Sequence, residues 1–165
     1  MSMIGNFRLA RPDDIERLLG DPERITDFLY NEEVAADRLL DIDKAWHGLH
    51  FLLTGTAWEG TPPWNFIVSG GHPIGQVDVG YGPARAFSNA ELQAIAAALA
   101  PLPIDELRSR FDPKKMQELE IYPSIWDRPP AQDDTLGYLI ERYQALKAFV
   151  AQGAAEGFGL IVYLN

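Results

Sequence analysis

Hydrophobic residues recur at helical spacing along several parts of the chain, and this spacing predicts most of its secondary structure. Apolar stripes predict helices at Pro12–Gly20 and at residues 22–30. A capping box of Ser88 and Glu91 begins a further helix, which the prolines at positions 101 and 103 end. A long closing helix is predicted from about residue 134 to residue 156.

Short apolar runs near both ends of the chain predict strands. Residues 3–10 form the first strand and residues 160–164 the last, while residues 65–69 and 84–87 are predicted strands in between. Short helices are expected at residues 104–111 and 113–119. These elements predict an α+β fold, with several helices packed on a small sheet that includes the N- and C-terminal strands. Residues 1–165 are expected to form one compact domain.

The middle of the chain, residues 55–87, has a different composition. It holds seven of the 14 glycines, together with four prolines and several aromatic residues, among them Trp58, Trp64 and Tyr81. A long irregular segment within a compact domain is usually functional or mobile. We therefore expect a functional surface to involve this segment.

Residues 40–54 carry two of the three histidines. Their apolar positions predict one amphipathic helix with Asp41 as its N-cap. On such a helix Asp43 stands four residues before His47, so its carboxylate could accept the imidazole N–H and hold the ring as a general base. The same pair is equally typical of an exposed helix without chemistry. Asp43 and His47 are the candidate catalytic residues.

No metal or cofactor site is predicted. His47 and His50 are three residues apart, whereas helices that bind metals usually space two histidines by four. The glycine-rich run at residues 70–75 lacks both nucleotide-binding signatures, and no nucleophile elbow is present.

The run from Asp78 to Arg85 places a carboxylate, a phenol and a guanidinium around two glycines. Arg85 is suited to bind a small anionic ligand, since its planar fork matches a carboxylate or a phosphate. It is as well suited to a structural ion pair with Asp78 or Asp43. Aromatic residues elsewhere could contact a ligand, although such residues are more often core anchors. The candidate ligand-binding residues are Trp46, Asp78, Tyr81, Arg85, Tyr122 and Trp126.

Charge narrows the possible partners. The chain has 24 acidic and 14 basic side chains, a formal net charge of −10. Such a chain repels phosphate backbones, which argues against nucleic-acid binding and favours a basic protein partner. Solubility alone is the more ordinary reason for such acidity.

The absence of cysteines and of targeting segments indicates where in the cell the protein is expected. There is no cysteine, which excludes disulfides and thiolate catalysis. No signal peptide or membrane span is apparent, so a cytoplasmic protein without membrane contact is expected.

Several blocks of the sequence resemble the YfbM-like family of small bacterial proteins. They are MIGNF at residues 3–7, DKAWH at 43–47, YGPAR at 81–85, IYP at 121–123, and the closing helix. The resemblance implies a small mixed α/β domain. It implies no activity, cofactor or catalytic residue, because none is established for the family.

Two functions remain open at this point. The first is a non-catalytic binding protein, for instance an immunity-type or regulatory protein-interaction module. The alternative is a small-molecule-binding protein or a hydrolase-like enzyme, which requires Asp43, His47, Tyr81 and Arg85 to converge in one pocket. Whether the protein is an enzyme is not decided by its sequence.

Overall fold

One antiparallel sheet of five short strands lies at the centre of the fold. The computed structural model describes residues 2–165. The strands are β1 (Gly5–Ala10), β2 (Leu39–Asp41), β3 (His72–Pro73), β4 (Arg85–Phe87) and β5 (Gly159–Leu164). They are arranged in the order β2-β1-β5-β4-β3, so the two terminal strands are adjacent and form the middle of the sheet.

Seven α-helices are present within the described residues. They are α1 (Pro12–Gly20), α2 (Ile25–Tyr30), α3 (Trp46–Thr54), α4 (Asn89–Leu99), α5 (Ile104–Ser109), α6 (Pro113–Glu118) and α7 (Thr135–Ala155). Short 3-10 turns occupy Pro22–Arg24, Ala36–Arg38 and Asp43–Ala45.

Each face of the sheet packs against its own set of helices, because successive side chains of a strand point to opposite faces. From β1, Phe7 and Leu9 join the larger core with α3, α4 and α7. Ala10 of β1 and Ile161 and Tyr163 of β5 join a smaller core with α1 and α2. The central strands are therefore buried on both faces.

The predicted fold class is confirmed, since helices pack on a small sheet that contains both terminal strands. The elements with strong local signals lie where they were predicted. Helix α1 spans Pro12–Gly20. Ser88 and Glu91 make both hydrogen bonds of the capping box, and Asp134 caps α7 by accepting from the N–H of Gly137.

The longest helix, α7, has 21 residues and buries Leu139, Tyr143, Leu146 and Val150 along one side. Its remaining positions include exposed polar residues. In the part of the chain that the structure describes, no helix combines the length and the apolar content that a membrane span requires.

The prediction of a single helix over residues 40–54 is wrong. Leu39–Asp41 is a strand paired with β1, and α3 begins only at Trp46. The carboxylate of Asp41 accepts from the N–H of Asp43 at 2.6 Å, and Asp43 adopts a left-handed backbone conformation with φ of 54°. Asp41 therefore stabilises the turn that separates strand from helix, instead of capping the helix.

The predicted strand at residues 65–69 is also wrong. The N–H groups of Val68 and Ser69 both donate to the carbonyl of Asn65, which makes this segment a compact turn. Its outward carbonyls bind the side chain of Arg85 instead of a neighbouring strand. By contrast, the prediction of a strand at residues 84–87 is confirmed by β4.

Gly159→Ala is expected to destabilise the fold. A Cβ atom at this first residue of β5 would lie 2.6 Å from the carbonyl oxygen of Phe87, which is backbone and cannot move aside. We expect the free energy of unfolding in urea to fall by about 2 kcal/mol. The control is Gly20→Ala, where no atom lies within 4 Å of the new Cβ, and where we expect no loss. Equal stability of the two variants would contradict the close approach at Gly159.

Candidate functional site

His47 lies buried on α3, and both nitrogens of its ring contact backbone groups. Nδ1 accepts from the N–H of Tyr122 at 2.8 Å, and Nε2 lies 2.8 Å from the carbonyl oxygen of Ala57. An amide N–H can only donate, so Nδ1 must be unprotonated and Nε2 must carry the hydrogen that it donates to Ala57. The site requires the neutral ring, and burial lowers the pKa of His47.

His50, one helical turn further along α3, makes a similar contact. Its Nε2 lies 3.0 Å from the carbonyl oxygen of Glu59, while its buried Nδ1 has no partner among residues 2–165. Burial lowers the pKa of His50 to about 4. Together, the two histidines hold the segment 57–59 against α3.

The predicted pair of Asp43 and His47 does not form. Asp43 lies in the 3-10 turn before α3, so it is not one helical turn away from His47 on a common face. Its carboxylate accepts instead from the hydroxyl of Tyr138 at 2.7 Å, and that hydroxyl oxygen accepts from the N–H of Lys44 at 3.1 Å. Burial and the carboxylate raise the pKa of Tyr138. Asp43 thus ties α7 to the turn before α3 and orients no base.

Arg85 on β4 binds a row of backbone carbonyls. Its Nη1 donates to Phe66, Ser69 and Gly70 at 3.1, 2.6 and 3.1 Å, and its Nη2 donates to Ile67 at 2.7 Å. Burial lowers the pKa of the guanidinium to about 10, so the group is still a cation at neutral pH. The expected ion pair with a carboxylate is absent within the described residues. Arg85 instead shapes the turn of residues 65–70.

Asp78 and Tyr81 also have local surroundings. Asp78 accepts from the N–H groups of Gly80 and Gly82 at 2.9 and 3.0 Å, and these bonds lower its pKa. The side chain of Tyr81 lies on the surface, 40% exposed. Within residues 2–165, no hydrogen bond joins any two of the four residues of the hypothetical pocket, Asp43, His47, Tyr81 and Arg85.

The candidate aromatic residues are core anchors. Trp46 stacks on the ring of His47 at 4.9 Å and on that of Tyr122 at 5.6 Å. The indole N–H of Trp46 donates to the carbonyl of Met3, and the N–H of Met3 donates to the hydroxyl of Tyr122. Trp126 is buried and donates to the carbonyl of Ile121. These contacts fix the chain before β1, and Trp126 also lines a cleft of about 380 Å³ beside residues 127–136.

Metal coordination has no support from the arrangement of side chains. Within the part of the chain that the structure describes, no three His, Cys, Asp or Glu side chains are grouped so that they could hold an ion. A second mainly apolar cleft, of about 260 Å³, lies between the segment 62–71 and α4, with Pro62, Phe87 and Ile95 among its lining residues. It contains none of the candidate catalytic or ligand-binding residues.

Charge is concentrated between Arg11 and Asp41, a segment in which no candidate site residue was predicted. This segment holds ten acidic and four basic residues, a net charge of −6 out of the −10 of the whole chain. Two of the four arginines are paired, Arg17 with Asp14 at 3.2 Å and Arg24 with Asp21 at 2.8 Å. A local count of charges along the sequence would have found this surface.

We call the exposed side chains of residues 12–41 the acidic face. Helices α1 and α2 cover one side of the sheet, and the buried side chains between Ile15 and Leu29 pack there. Eight of its acids are exposed and form no ion pair within the described residues: Asp13, Glu16, Glu23, Asp27, Glu32, Glu33, Asp37 and Asp41.

Apolar side chains are exposed on the acidic face as well. In the described part of the chain five large hydrophobic residues are exposed, and Leu19, Tyr30 and Leu39 of the acidic face are three of them, each at least 40% accessible. Tyr30 is fixed in place, because its ring packs edge-on against Tyr163 at 6.2 Å and its hydroxyl donates to the carbonyl of Val79. Apolar side chains among charges add contact area where such a surface meets a partner, since the rim of an interface is polar.

Arg8 lies buried beneath this face. Its guanidinium stacks on the ring of Phe28 at 3.8 Å and donates to the carbonyl of the same residue. Burial lowers the pKa of Arg8, and the nearby Tyr163, Glu32 and Asp14 oppose that effect. The cation is thus covered by α2 and contributes packing more than surface charge.

Comparison with known proteins identifies relatives over almost the whole chain. A family model described as "Domain of unknown function (DUF1877)" matches residues 1–163. Protein YfbM of Escherichia coli (strain K12) is 34% identical over 128 residues, which are 76% of this chain and 75% of that protein. The crystal structure of YfbM from Escherichia coli, titled a protein of unknown function, matches with a TM-score of 0.75 at 28% identity, covering 98% of this chain and 99% of that chain.

The buried histidines predict a pH-dependent stability. Because their pKa values are lowered in the folded protein, the unfolded chain binds more protons once the pH falls below about 6.5. The free energy of unfolding should therefore be highest above about pH 7 and decrease as the pH falls, with the contribution of His50 decreasing by up to about 1.4 kcal/mol per pH unit down to about pH 4. Urea unfolding at about pH 7.5, 6 and 5 measures this slope.

The variant His50→Gln should reduce that slope, since the amide can still donate to Glu59 but does not titrate. His72→Gln is the matched control, because His72 lies on the surface. If the wild type and His50→Gln lose stability equally over this range, burial of a neutral His50 is refuted.

Arg85→Lys is expected to destabilise the protein in spite of its retained charge. A single ammonium cannot reach all the carbonyls that the guanidinium binds, and those left buried without a donor cost free energy. We expect a loss of about 2–4 kcal/mol in urea unfolding, with faster amide exchange at residues 65–70. Arg128→Lys, at an exposed ion pair with Asp133, is the control and should change little. Equal losses in both variants would show that Arg85 does not organise the turn.

Proposed function

The chain belongs to the family described as a domain of unknown function (DUF1877), whose description assigns no activity, and from its own surface we propose that it is a non-catalytic protein-interaction module. Its partner is a basic protein, and the acidic face is the contact surface. The earlier resemblance to the YfbM-like family is confirmed by the same comparisons.

A single observation carries the proposal: unpaired acids and exposed apolar side chains occur together on residues 12–41. Eight unpaired carboxylates provide a negative potential, which speeds association with a basic surface. A protein interface also needs apolar contacts, and the exposed side chains of Leu19, Tyr30 and Leu39 provide them. Tyr30 is the natural anchor, because its hydroxyl and ring are already fixed by Val79 and Tyr163, and little conformational entropy is lost on binding.

The alternative of a small-molecule or hydrolase-like site at Asp43, His47, Tyr81 and Arg85 has weaker support. The ring nitrogens of His47 contact two backbone groups, so the ring offers neither a base nor an acid to a substrate. Both terminal nitrogens of Arg85 donate to backbone carbonyls, so an anion could bind the guanidinium only by displacing these carbonyls.

The chemistry of the acidic face suggests what the interaction achieves. Protein surfaces rich in lysine and arginine are often those that bind nucleic acid. An acidic module that covers such a surface competes directly with phosphate backbones for it. This mode of action is that of an immunity-type or regulatory inhibitor, and we propose a cytoplasmic location for it.

Neutralising the acidic face tests the proposal. The triple variant Glu16→Gln, Glu23→Gln, Glu33→Gln removes three unpaired charges without changing side-chain size. The control removes three exposed charges elsewhere, by Glu118→Gln, Glu120→Gln and Glu141→Gln, and has the same net charge. Tagged wild type and both variants are used for capture from a lysate of the source organism, at about 50 and 500 mM salt.

We expect a basic partner that wild type and control bind at low salt and release at high salt. With that partner purified, calorimetry should give an affinity at least about tenfold weaker for the acidic-face variant than for the control. Equal affinities for the two variants would show that the acidic face is not the contact surface. Capture of no salt-sensitive basic protein would contradict the proposal itself.

A further inference from the structure

Strand β2 forms an edge of the sheet. It pairs with β1 on one side, in the register Asn6–Asp41, Phe7–Leu40 and Arg8–Leu39, and no strand follows it on the other side within the described residues. Leu39 and Asp41 are exposed, and Leu40 is half-buried against the larger core. The edge is therefore open to solvent.

The hydrogen-bond pattern shows which backbone groups of β2 face outward. The N–H of Ile42 donates to the carbonyl of Gly5, so these two residues form a hydrogen-bonded pair of the antiparallel ladder. Such pairs alternate along a ladder, which makes Leu40 and Phe7 the next one. The backbone groups of Leu39 and Asp41 must then point away from β1.

The pairing of β1 with β5 supports this assignment independently. Ile4 and Asn165 exchange both backbone hydrogen bonds, so the even-numbered residues of β1 direct their backbone groups at β5. Asn6 and Arg8 are thus already paired and have no group left for Asp41 or Leu39.

Three backbone groups of the edge remain available. The N–H of Leu39 donates to the carbonyl of Ala36 in the preceding turn. The carbonyl of Leu39 and both the N–H and the carbonyl of Asp41 are the remaining outward groups. These three groups suffice to pair with one added strand.

The side chains around the edge determine which strand fits. Cross-strand partners share a face, so Leu39 and Asp41 lie on the same face as Arg8 and Asn6, which is the side of α1 and α2. The edge is thus a border of the acidic face. Three further unpaired acids precede it in the chain: Glu32, Glu33 and Asp37.

From this geometry we infer that an extended, lysine- or arginine-rich segment of the partner adds to β2 as a sixth strand of the sheet. The inference rests on the proposed function and names the form of the partner at the acidic face. Backbone bonds to Leu39 and Asp41 position the segment, and its basic side chains reach the carboxylates beside the edge.

Two other arrangements are disfavoured. A second copy of the chain at this edge would bring two carboxylates of Asp41 and two chains of charge −10 together, and like charges opposite each other destabilise a strand pair. The opposite edge of the sheet, β3, has only two residues, and its Pro73 has no N–H to donate.

A synthetic peptide tests strand addition separately from charge. The probe is an octapeptide of alternating lysine and valine, and the matched control is the same peptide with every backbone nitrogen methylated, which retains the charge but cannot donate along a strand. Binding is measured by calorimetry at about 50 mM salt. We expect the methylated peptide to bind at least about tenfold more weakly.

Amide exchange locates the contact. The N–H of Asp41 should exchange at least about tenfold more slowly with the unmethylated peptide bound, whereas that of Leu40, already bonded to Phe7, should not change. Asp41→Pro removes the outward N–H, together with the carboxylate that accepts from the N–H of Asp43, and should abolish the difference between the two peptides. Asp41→Asn removes only the charge and should retain that difference.

The outcomes distinguish strand addition at β2 from the proposed contact through the acidic face. Equal affinity of the two peptides would overturn strand addition and leave the acidic face as a purely electrostatic surface. Unchanged exchange at Asp41 in the bound state would also overturn it. If the protein dimerises and the peptide displaces the second copy, then the edge of β2 binds another copy of the chain. That result would contradict strand addition by the partner, but it would leave the test with the glutamine variants unchanged.

Discussion

The contacts of His47 with two distant backbone groups are the interaction on which the arrangement around α3 depends. Its Nε2 holds Ala57 at the start of the irregular middle segment, and its Nδ1 holds Tyr122. Because the ring is fixed, Trp46 can stack on it and on Tyr122, and both aromatic residues then bind Met3 ahead of β1. One imidazole thus joins the N-terminal segment, α3 and two loops. That role requires the neutral tautomer and is incompatible with acid–base catalysis at the same ring.

Arg85 has the corresponding role for residues 65–70, whose carbonyls it binds in place of a neighbouring strand. The residues with the richest chemistry are therefore the ones that stabilise the chain where secondary structure is lacking. The surface that we propose for recognition includes α1, α2 and β2, and residues 11–41 around them carry −6 of the net charge of −10 together with three exposed apolar side chains. The division between a structural interior and a charged outer face is the physical basis of the proposed function.

Local signals explain which features the sequence predicted. The capping box at Ser88 and the apolar stripes of α1 and α7 depend on neighbouring residues, so periodicity found them. The misplaced start of α3 and the false strand at residues 65–69 have a common cause. Both depend on contacts between residues that are distant in the sequence, which no local pattern encodes. Leu39–Asp41 pairs with β1, and Arg85 binds carbonyls almost twenty residues earlier. The predicted pair of Asp43 and His47 does not form for the same reason, because Tyr138 and Tyr122 contact these residues from far along the chain.

The protonation state of the histidines tests this account most directly. Long-range proton–nitrogen NMR correlations distinguish the two neutral tautomers and the cation of each ring. We predict that at about pH 7 His47 is the neutral tautomer with its hydrogen on Nε2, since burial disfavours the cation and the two backbone partners select this tautomer. A mixture of tautomers, or protonation of His47 on approaching about pH 6.5, would show that the ring is free to exchange protons. That result would contradict the structural role and restore His47 as a candidate base.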